Sequence, residues 1–448
     1  MKGEHQLFFF NFSQNMYLSQ YLISFKHSSI HDQTVLFSTK TGALILLSDD
    51  DFGALQNSEL NTEYTEDLTE LGFLVKSQAR EKVEVQSYME DINHHNPNLT
   101  VALVLGMECN FRCSYCFEGQ QKGKRVMTDE TADQVIDFIK NKFNENKKKL
   151  VLQIYGGEPL LYTNRIIYLA KQLKPYVEQR GAELVIDLIT NGSLLTPQVV
   201  DELNEWGLDG VKITIDGPPD NHNAFRPFKS GAPTFDVIVN NIKNICTKTK
   251  VRLGGNYTNE TYQDFVTVLD HLNEKGITAD KIEQVHFNIV MRVNDAITRN
   301  EYAGGCATIN EPWLKEASLH VRKEVLKRGY PIADISPEPC AVEINDAYTV
   351  HHDGSLYKCV TWIGHEQYKI GDVWSGVTTA FEKSHHIYHW QHTEKCKECI
   401  YLPLCFGGCR YMAYQRDGHM GNVDCRKPYF DATLKSLLRQ DLCYKYDL

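Results

Sequence analysis

The chain is 448 residues long, 42% hydrophobic and 23% charged, an ordinary globular composition for two or three domains. Its formal net charge of −11 argues against a nucleic-acid partner, which usually meets a basic excess. No apolar run approaches the ~18–20 residues of a membrane span, and Leu7-Phe8-Phe9-Phe10 is too short for a signal-peptide core, so the expected location is cytoplasmic. Thirteen cysteines in a reducing compartment read as metal ligands rather than disulfides; ten fall into spaced groups, while Cys246, Cys306 and Cys443 do not.

Residues 1–76 read as a small α+β domain. The β-rich stretches Gln6–Phe12 and Leu18–Phe25 precede Thr34–Ser38 and Ala43–Leu47, the last two joined by the turn signal Lys40-Thr41-Gly42. Asp49–Gln56 and Glu63–Leu71 read as short helices, and Gly72-Phe73-Leu74-Val75 as a closing strand. This order resembles the winged-helix peptide-binding domains at the front of ribosomal-peptide maturases, which implies a leader-peptide site here. A plain structural cap is the alternative. The segment has no Lys/Arg cluster to neutralise phosphates, which argues against DNA. Residues 77–98 are polar and read as a linker.

From 99 to 290, short β-rich runs alternate with amphipathic helical stretches, the pattern of βα units around a parallel sheet. Strands are expected at 99–106, 150–155, 184–190, 210–216, 251–257 and 284–290. Helices are expected near 129–146, 164–180, 197–206, 234–248 and 260–275, with Asp129 and Thr196-Pro197 as start signals. Six strands at this spacing make a partial (β/α)6 TIM-like barrel, short of the eight of the closed form.

A polar motif follows each of the first four strands. These are Cys109-Asn110-Phe111-Arg112-Cys113-Ser114-Tyr115-Cys116, Gly156-Gly157-Glu158-Pro159, Thr190-Asn191-Gly192 and Asp216-Gly217-Pro218. All four therefore stand on the C-terminal rim, where such barrels place their sites. The spacing C-x3-C-x2-C offers three thiolates to a cubane of four irons and leaves one iron open to a small molecule. Structural zinc, the alternative, usually takes four protein ligands, and the fourth is missing locally. Gly156 and Gly157 lack Cβ atoms and let a ligand approach the backbone. Glu158 is suited to accept a charge-assisted hydrogen bond from an ammonium group.

These motifs closely resemble the radical S-adenosylmethionine (SAM) family. The resemblance implies that Cys109, Cys113 and Cys116 hold a 4Fe–4S cluster whose open iron chelates SAM, and that reduction yields a 5′-deoxyadenosyl radical. It implies that Gly156, Gly157 and Glu158 hold the amino group of SAM, that Tyr115 lies near the adenine, and that Asn191 belongs to the same site. The run Lys212-Ile213-Thr214-Ile215-Asp216-Gly217-Pro218 resembles the "SIDG" stretch of the peptide-modifying branch. Thr214, Asp216 and the downstream Arg226 would then help to seat SAM. A core-packed Tyr115 and a solvated Arg226 are the alternatives.

Residues 291–335 form a weakly patterned bridge with a helix expected at 312–328. In 336–448 the cysteines return as Cys340, Gly354-x4-Cys359, Cys396-x2-Cys399-x5-Cys405-x3-Cys409 and Cys425. This resembles the cluster-binding SPASM domain of radical SAM proteins in all seven thiol positions; zinc ribbons are the alternative. By that resemblance Cys340, Cys359 and Cys409 hold a first auxiliary cluster, and Cys396, Cys399, Cys405 and Cys425 a second, giving three 4Fe–4S clusters in all. Gly407-Gly408 allows the tight backbone a cluster demands. Residues 341–358 contain no Cys. One iron of the first auxiliary cluster is therefore expected to be open to a substrate thiolate, unless Cys306, Cys246 or Cys443 closes it.

The resemblance covers 99–448 and implies a radical SAM/SPASM maturase of a ribosomally made precursor peptide, similar to the thioether-forming and geopeptide-type enzymes. The leader would dock on the N-terminal domain, the core peptide would enter the barrel mouth, and a Cys thioether would form. A flavodoxin or ferredoxin would supply electrons. No catalytic side chain is singled out. The nearest alternative is an anaerobic sulfatase maturase, which makes formylglycine. Those enzymes carry an Asp immediately after the Cys of Gx4C, where this chain has Val360. A non-catalytic, zinc-loaded peptide-binding protein is the alternative from another class.

Overall fold

Short apolar runs broken by turn residues build the first part of the chain. The computed structural model describes residues 16–27, 31–57, 64–116, 118–119, 122–291, 306 and 308–446. They form two units, one of Met1–Tyr88 with Ile335–Glu338 and Lys397–Leu404, the other of Met89–Asp334, Pro339–Cys396 and Cys405–Leu448. The strand expected at Gln6–Phe12 lies outside the described residues.

In the first unit, β1 (Tyr17–Leu18), β2 (Leu22–Lys26), β3 (Gln33–Ser38) and β4 (Leu44–Ser48) lead into α1 (Asp49–Gln56), α2 (Thr65–Glu70) and β5 (Leu74–Val75). β2, β3 and β4 form an antiparallel sheet in that order, and β1 pairs antiparallel with β5. The run Leu18–Phe25, expected as one strand, is broken after Leu18. There Ser19 Oγ accepts the Tyr21 amide at 3.0 Å and donates to the buried Glu81 carboxylate at 2.6 Å. Ser48 caps α1 by accepting the Asp51 amide at 3.0 Å. Residues 77–98, expected as a linker, carry helix α3 (Gln78–His95). Glu81 anchors its start, and Val85 and Met89, four apart, are buried.

In the second unit the order is β6 (Asn98–Val104), α4 (Asp129–Lys142), β7 (Lys149–Tyr155), α5 (Thr163–Glu178), β8 (Glu183–Thr190), α6 (Pro197–Glu205) and β9 (Leu208–Thr214). Then come α7 (Pro219–Phe225), α8 (Phe235–Ile245), β10 (Lys250–Tyr257), α9 (Tyr262–Phe265), α10 (Val268–Glu274) and β11 (Gln284–Ile289). β6 to β11 pair in parallel, each with the next. Along β7 and β8, buried residues such as Leu150, Leu152 and Ile154 alternate with half-buried ones that face the barrel interior. The buried face packs against Val135, Ile139, Leu169 and Leu173 of α4 and α5, and each such side chain contributes about 1.5–3 kcal/mol. The helix expected at 260–275 is split into α9 and α10, where the Thr267 hydroxyl donates back to the Asp264 carbonyl at 2.7 Å.

Further along, besides a few one-turn helices, stand α11 (Pro312–Lys327), β12 (Ala347–Val350), β13 (Ser355–Tyr357), β14 (Gly371–Asp372), β15 (Gly376–Val377), α12 (Arg410–Asp417) and α13 (Lys427–Lys445). β12 adds a seventh parallel strand, pairing Ala347 with Thr100 and Val350 with Leu103 of β6. β13 to β15 extend the sheet antiparallel. Among the described residues, no helix is long and apolar enough to cross a membrane.

Candidate active site

The loop after β6 is clamped on both sides by neighbouring rim loops. The Gly106 and Glu108 carbonyls accept the Gly157 and Glu158 amides at 3.0 and 2.8 Å. On the other side the Arg112 amide donates to Pro227 O at 2.9 Å, the Ser114 amide to Phe225 O at 3.0 Å, and the Lys229 amide to Asn110 O at 2.9 Å. A Cβ on Gly157 would stand 2.2 Å from Glu108 O, and one on Gly156 (φ +142°) 2.7 Å from Gly106 O. The two glycines are thus required by chain-to-chain approach, beyond any ligand.

A cavity of about 380 Å³ opens here, lined by Cys109, Cys113, Tyr115, Cys116, Gly156, Gly157, Asn191, Thr214 and Arg226. Nine of the residues expected at the site therefore share one wall. Glu158 stands behind that wall. It is fully buried, with Oε1 accepting Thr190 Oγ1 at 2.7 Å and the Leu160 amide at 3.0 Å, and Oε2 accepting the Asn191 amide at 2.8 Å. These three protein donors take most of the carboxylate's acceptor sites, so Glu158 ties the second rim loop to the third.

Asp216 also stands behind the wall. Oδ1 accepts the Asn256 amide at 2.8 Å, and Oδ2 accepts the Tyr115 hydroxyl. The same hydroxyl accepts from Arg226 Nη1 at 2.7 Å. Burial, helped by Asp216 and Cys113 and opposed by Arg226, holds the Tyr115 phenol well above its ordinary range, so it stays protonated and donates. Arg226 is buried rather than solvated, and its Nε finds no partner among the described residues. An orphaned donor on a buried guanidinium beside a cavity is suited to an anionic ligand group. Burial pushes the Cys109 thiol up to about 11 and raises Cys116 as well. These thiols need a nearby cation to ionise, as a cluster iron would provide. Among the described residues, no three His, Cys, Asp or Glu side chains stand together as a set for a single metal ion. A cubane asks for less convergence, one thiolate per iron.

Several lining residues were not singled out from the sequence: Glu118, Lys122, Tyr155, Asn256, Thr361 and Tyr411. Burial, reinforced by Glu158 and opposed by Lys122, raises the Glu118 carboxyl to about 7. Asn256 is the last residue but one of the fifth parallel strand, so the rim rule that marked the other four loops also marks it.

Cys340, Cys359 and Cys409 lie near one another: burial first, then Cys409 and Cys359, pushes Cys340 up to about 12. Cys359 and Cys409 pack with Val360, Tyr411 and Tyr155, so this group adjoins the cavity wall. Gly407 and Gly408 both take left-handed backbone, at φ +83° and +77°. Cys399 belongs to the first unit, and Cys396, Cys405 and Cys425 to the second. Cys306 is buried at the end of β11, bridged to Met291, with its amide donating to Val290 O at 2.9 Å. Cys246 closes α8, where its thiol contacts Lys243 O at 3.5 Å, and Cys443 is exposed on α13.

A family model of the Radical SAM superfamily matches residues 103–272. The serine-type anaerobic sulfatase-maturating enzyme of Bacteroides thetaiotaomicron is 24% identical over 392 residues, spanning 75% of this chain and 91% of the relative. Among solved structures, anSMEcpe with bound AdoMet and Kp18Cys peptide aligns with a TM-score of 0.60 at 19% identity, covering 77% of this chain and 99% of its own. Streptococcus suis SuiB bound to precursor peptide SuiA aligns with a TM-score of 0.52 at 14% identity, covering 92% and 99%. At such identities these two likenesses speak for the fold. The family match spans the first four rim loops, so the chain carries a radical SAM domain, whose chemistry uses a 4Fe–4S cluster and SAM, and with its maturase relatives it is a radical SAM enzyme of the SPASM/maturase group.

Proposed function

We propose that this enzyme matures a ribosomally made precursor peptide by joining a Cys sulfur to a carbon as a thioether. The observation that carries the reading is the continuous wall between two thiol groups. Cys109, Cys113 and Cys116 line the cavity together with Val360 and Thr361, which directly follow Cys359. A peptide residue in that cavity would meet both groups. When bound at Cys109, Cys113 and Cys116, the cluster and SAM supply the 5′-deoxyadenosyl radical that removes a hydrogen atom from a substrate carbon. The protein's own share is placement: Arg226 and Thr214 hold the anionic end of SAM, while Ile289, Val290, Met291 and Tyr411 keep water from the radical. Cys340, Cys359 and Cys409 would hold a first auxiliary cluster, leaving one position for the substrate thiolate; the thiol would lose its proton on binding, and the one electron released when the carbon radical bonds to sulfur would pass to that cluster. Cys306, 34 residues before Cys340, is the rival that would otherwise close it. The leader would add a strand at an edge of the β2–β3–β4 sheet, and the fold likeness to SuiB, bound to its precursor peptide, supports a peptide substrate. A flavodoxin or ferredoxin would be the electron donor.

Formylglycine formation is the second reading, favoured by the likeness to the sulfatase-maturating relative. Against it, the position after Cys359 is the aliphatic Val360 in the cavity wall, where those enzymes carry an Asp. The test is mass spectrometry of a Cys-containing precursor, and its Cys→Ser form, after incubation with reconstituted enzyme, SAM and a reductant. Loss of two hydrogens with a thiol that no longer alkylates is expected. An aldehyde product, or a modified peptide that keeps its free thiol, overturns the reading.

A further inference from the structure

Tyr115 sits between Cys113 and Cys116, and its hydroxyl is fully subscribed. It donates to Asp216 Oδ2 and accepts from Arg226 Nη1 at 2.7 Å and from Asn256 Nδ2 at 3.1 Å. A phenol has one proton and two lone pairs, so no capacity is left over. A ring present only to pack or to stack would not need its hydroxyl held by three partners. Asn256, in turn, is not free to drift. Its backbone amide donates to Asp216 Oδ1 at 2.8 Å, with Nδ2 reaching the same oxygen at 3.3 Å. A Cβ on the preceding Gly255 would stand 2.3 Å from Ile215 O, so β10 runs hard against the end of β9 at this point.

The cysteine loop is held unevenly. Backbone hydrogen bonds to residues 225–229 tie down its first half, from Asn110 to Ser114. In its second half, the Cys116 amide reaches Cys113 O at 3.4 Å and the Gly119 amide reaches Cys116 O at 3.1 Å, both within the loop itself. Among the described residues, the Tyr115 side chain joins the Cys113–Cys116 turn to the ends of β9 and β10.

We propose that Asn256 is a positioning residue: through the Tyr115 hydroxyl it fixes the Cys113–Cys116 turn against β9 and β10, and so sets how SAM meets the cluster. All three partners of the Tyr115 hydroxyl are groups of the protein itself, so the order of the turn is built into the chain and binding need not supply it. The proposal rests on the loop holding the SAM cluster, an assignment on which iron content reports separately.

The experiment uses the full-length, reconstituted protein as Tyr115→Phe, Asn256→Ala and the double variant. SAM is titrated while the electron paramagnetic resonance of the reduced cluster and the iron per chain are recorded. The expected result is unchanged iron, with SAM binding weakened roughly threefold to tenfold in each single variant, the worth of one or two buried hydrogen bonds. The SAM-bound resonance should change in both, and the double variant should be little worse than either single, because both cut the same link. A Tyr115→Phe protein with wild-type SAM affinity and an unaltered resonance overturns the proposal. So does strict additivity of the two changes, and so does loss of iron in either variant, which would make the pair a structural support for the loop instead.

Discussion

The Asn191 amide donates to Glu158 Oε2 at 2.8 Å, joining the loop after β8 to the loop after β7 from behind the cavity wall. Thr190 Oγ1 takes the other carboxylate oxygen at 2.7 Å, and the whole side chain is shut off from solvent. Replacing Glu158 by Gln puts an amide NH2 among these donors. We expect a loss of ~1–3 kcal/mol in stability, read from urea unfolding, together with weaker SAM binding. Unchanged stability would mean that the donors find other acceptors.

Changing Cys109, Cys113 and Cys116 together to Ala should abolish reductive SAM cleavage, measured as 5′-deoxyadenosine, while iron held elsewhere stays with the protein. Continued formation of 5′-deoxyadenosine would remove these three thiols from the SAM site.

Gly408 has φ +77°, and a Cβ there would stand 2.1 Å from the Asp424 carbonyl oxygen. Gly418 has φ +76° with nothing nearby, where it ends α12. Gly418→Ala should cost only the left-handed strain, ~1–2 kcal/mol. Gly408→Ala adds a backbone collision and should cost clearly more. Denaturation midpoints of the two variants, measured side by side, decide this. Equal losses would show that the chain at Asp424 yields easily.

His222 Nδ1 accepts the Asp216 amide at 3.1 Å, and Nε2 faces Thr234 Oγ1 at 3.0 Å. Burial, then the Arg226 charge, pushes its imidazole from 6.5 down to about 3. Below 6.5 the unfolded chain therefore binds a proton that the folded chain refuses, and stability rises with pH. The contribution is whole above 6.5 and is lost progressively as pH falls towards 3. Thermal midpoints should drop between roughly pH 7 and pH 5, and His222→Asn should flatten that slope while lowering the plateau. A wild-type midpoint that is flat over that range would contradict the buried neutral assignment.

Much of the fold is a matter of local order. The alternation of β9 to β11 with their helices, the Thr128 and Thr196 caps, and the glycines at Gly156 and Gly157 follow from hydrogen-bonding capacity and backbone freedom. Because a parallel strand must return through a helix, each motif after a strand lands on the same rim. That is why the four motifs could be placed on one rim from their order alone, whereas Tyr115, Asn191, Thr214 and Arg226 were named through the family resemblance.

What needed the tertiary structure is the pairing of groups far apart in the chain. The four-residue β12 carries no sign that it will extend β6 as a seventh parallel strand, since a strand so short gains its place from the edge it meets. Leu18–Phe25 looks like one strand until Ser19 finds Glu81, 62 residues on. That Glu158 ties Thr190 and Asn191 to its own loop is invisible in its motif, and Tyr115 reads as a bare ring until Asp216, Arg226 and Asn256 meet its hydroxyl. Residue types and their spacing determined which chemistry the rim can carry. Which carboxylate, amide or hydroxyl stands before or behind the wall was decided by packing, because a buried polar group must find partners and those partners come from distant strands.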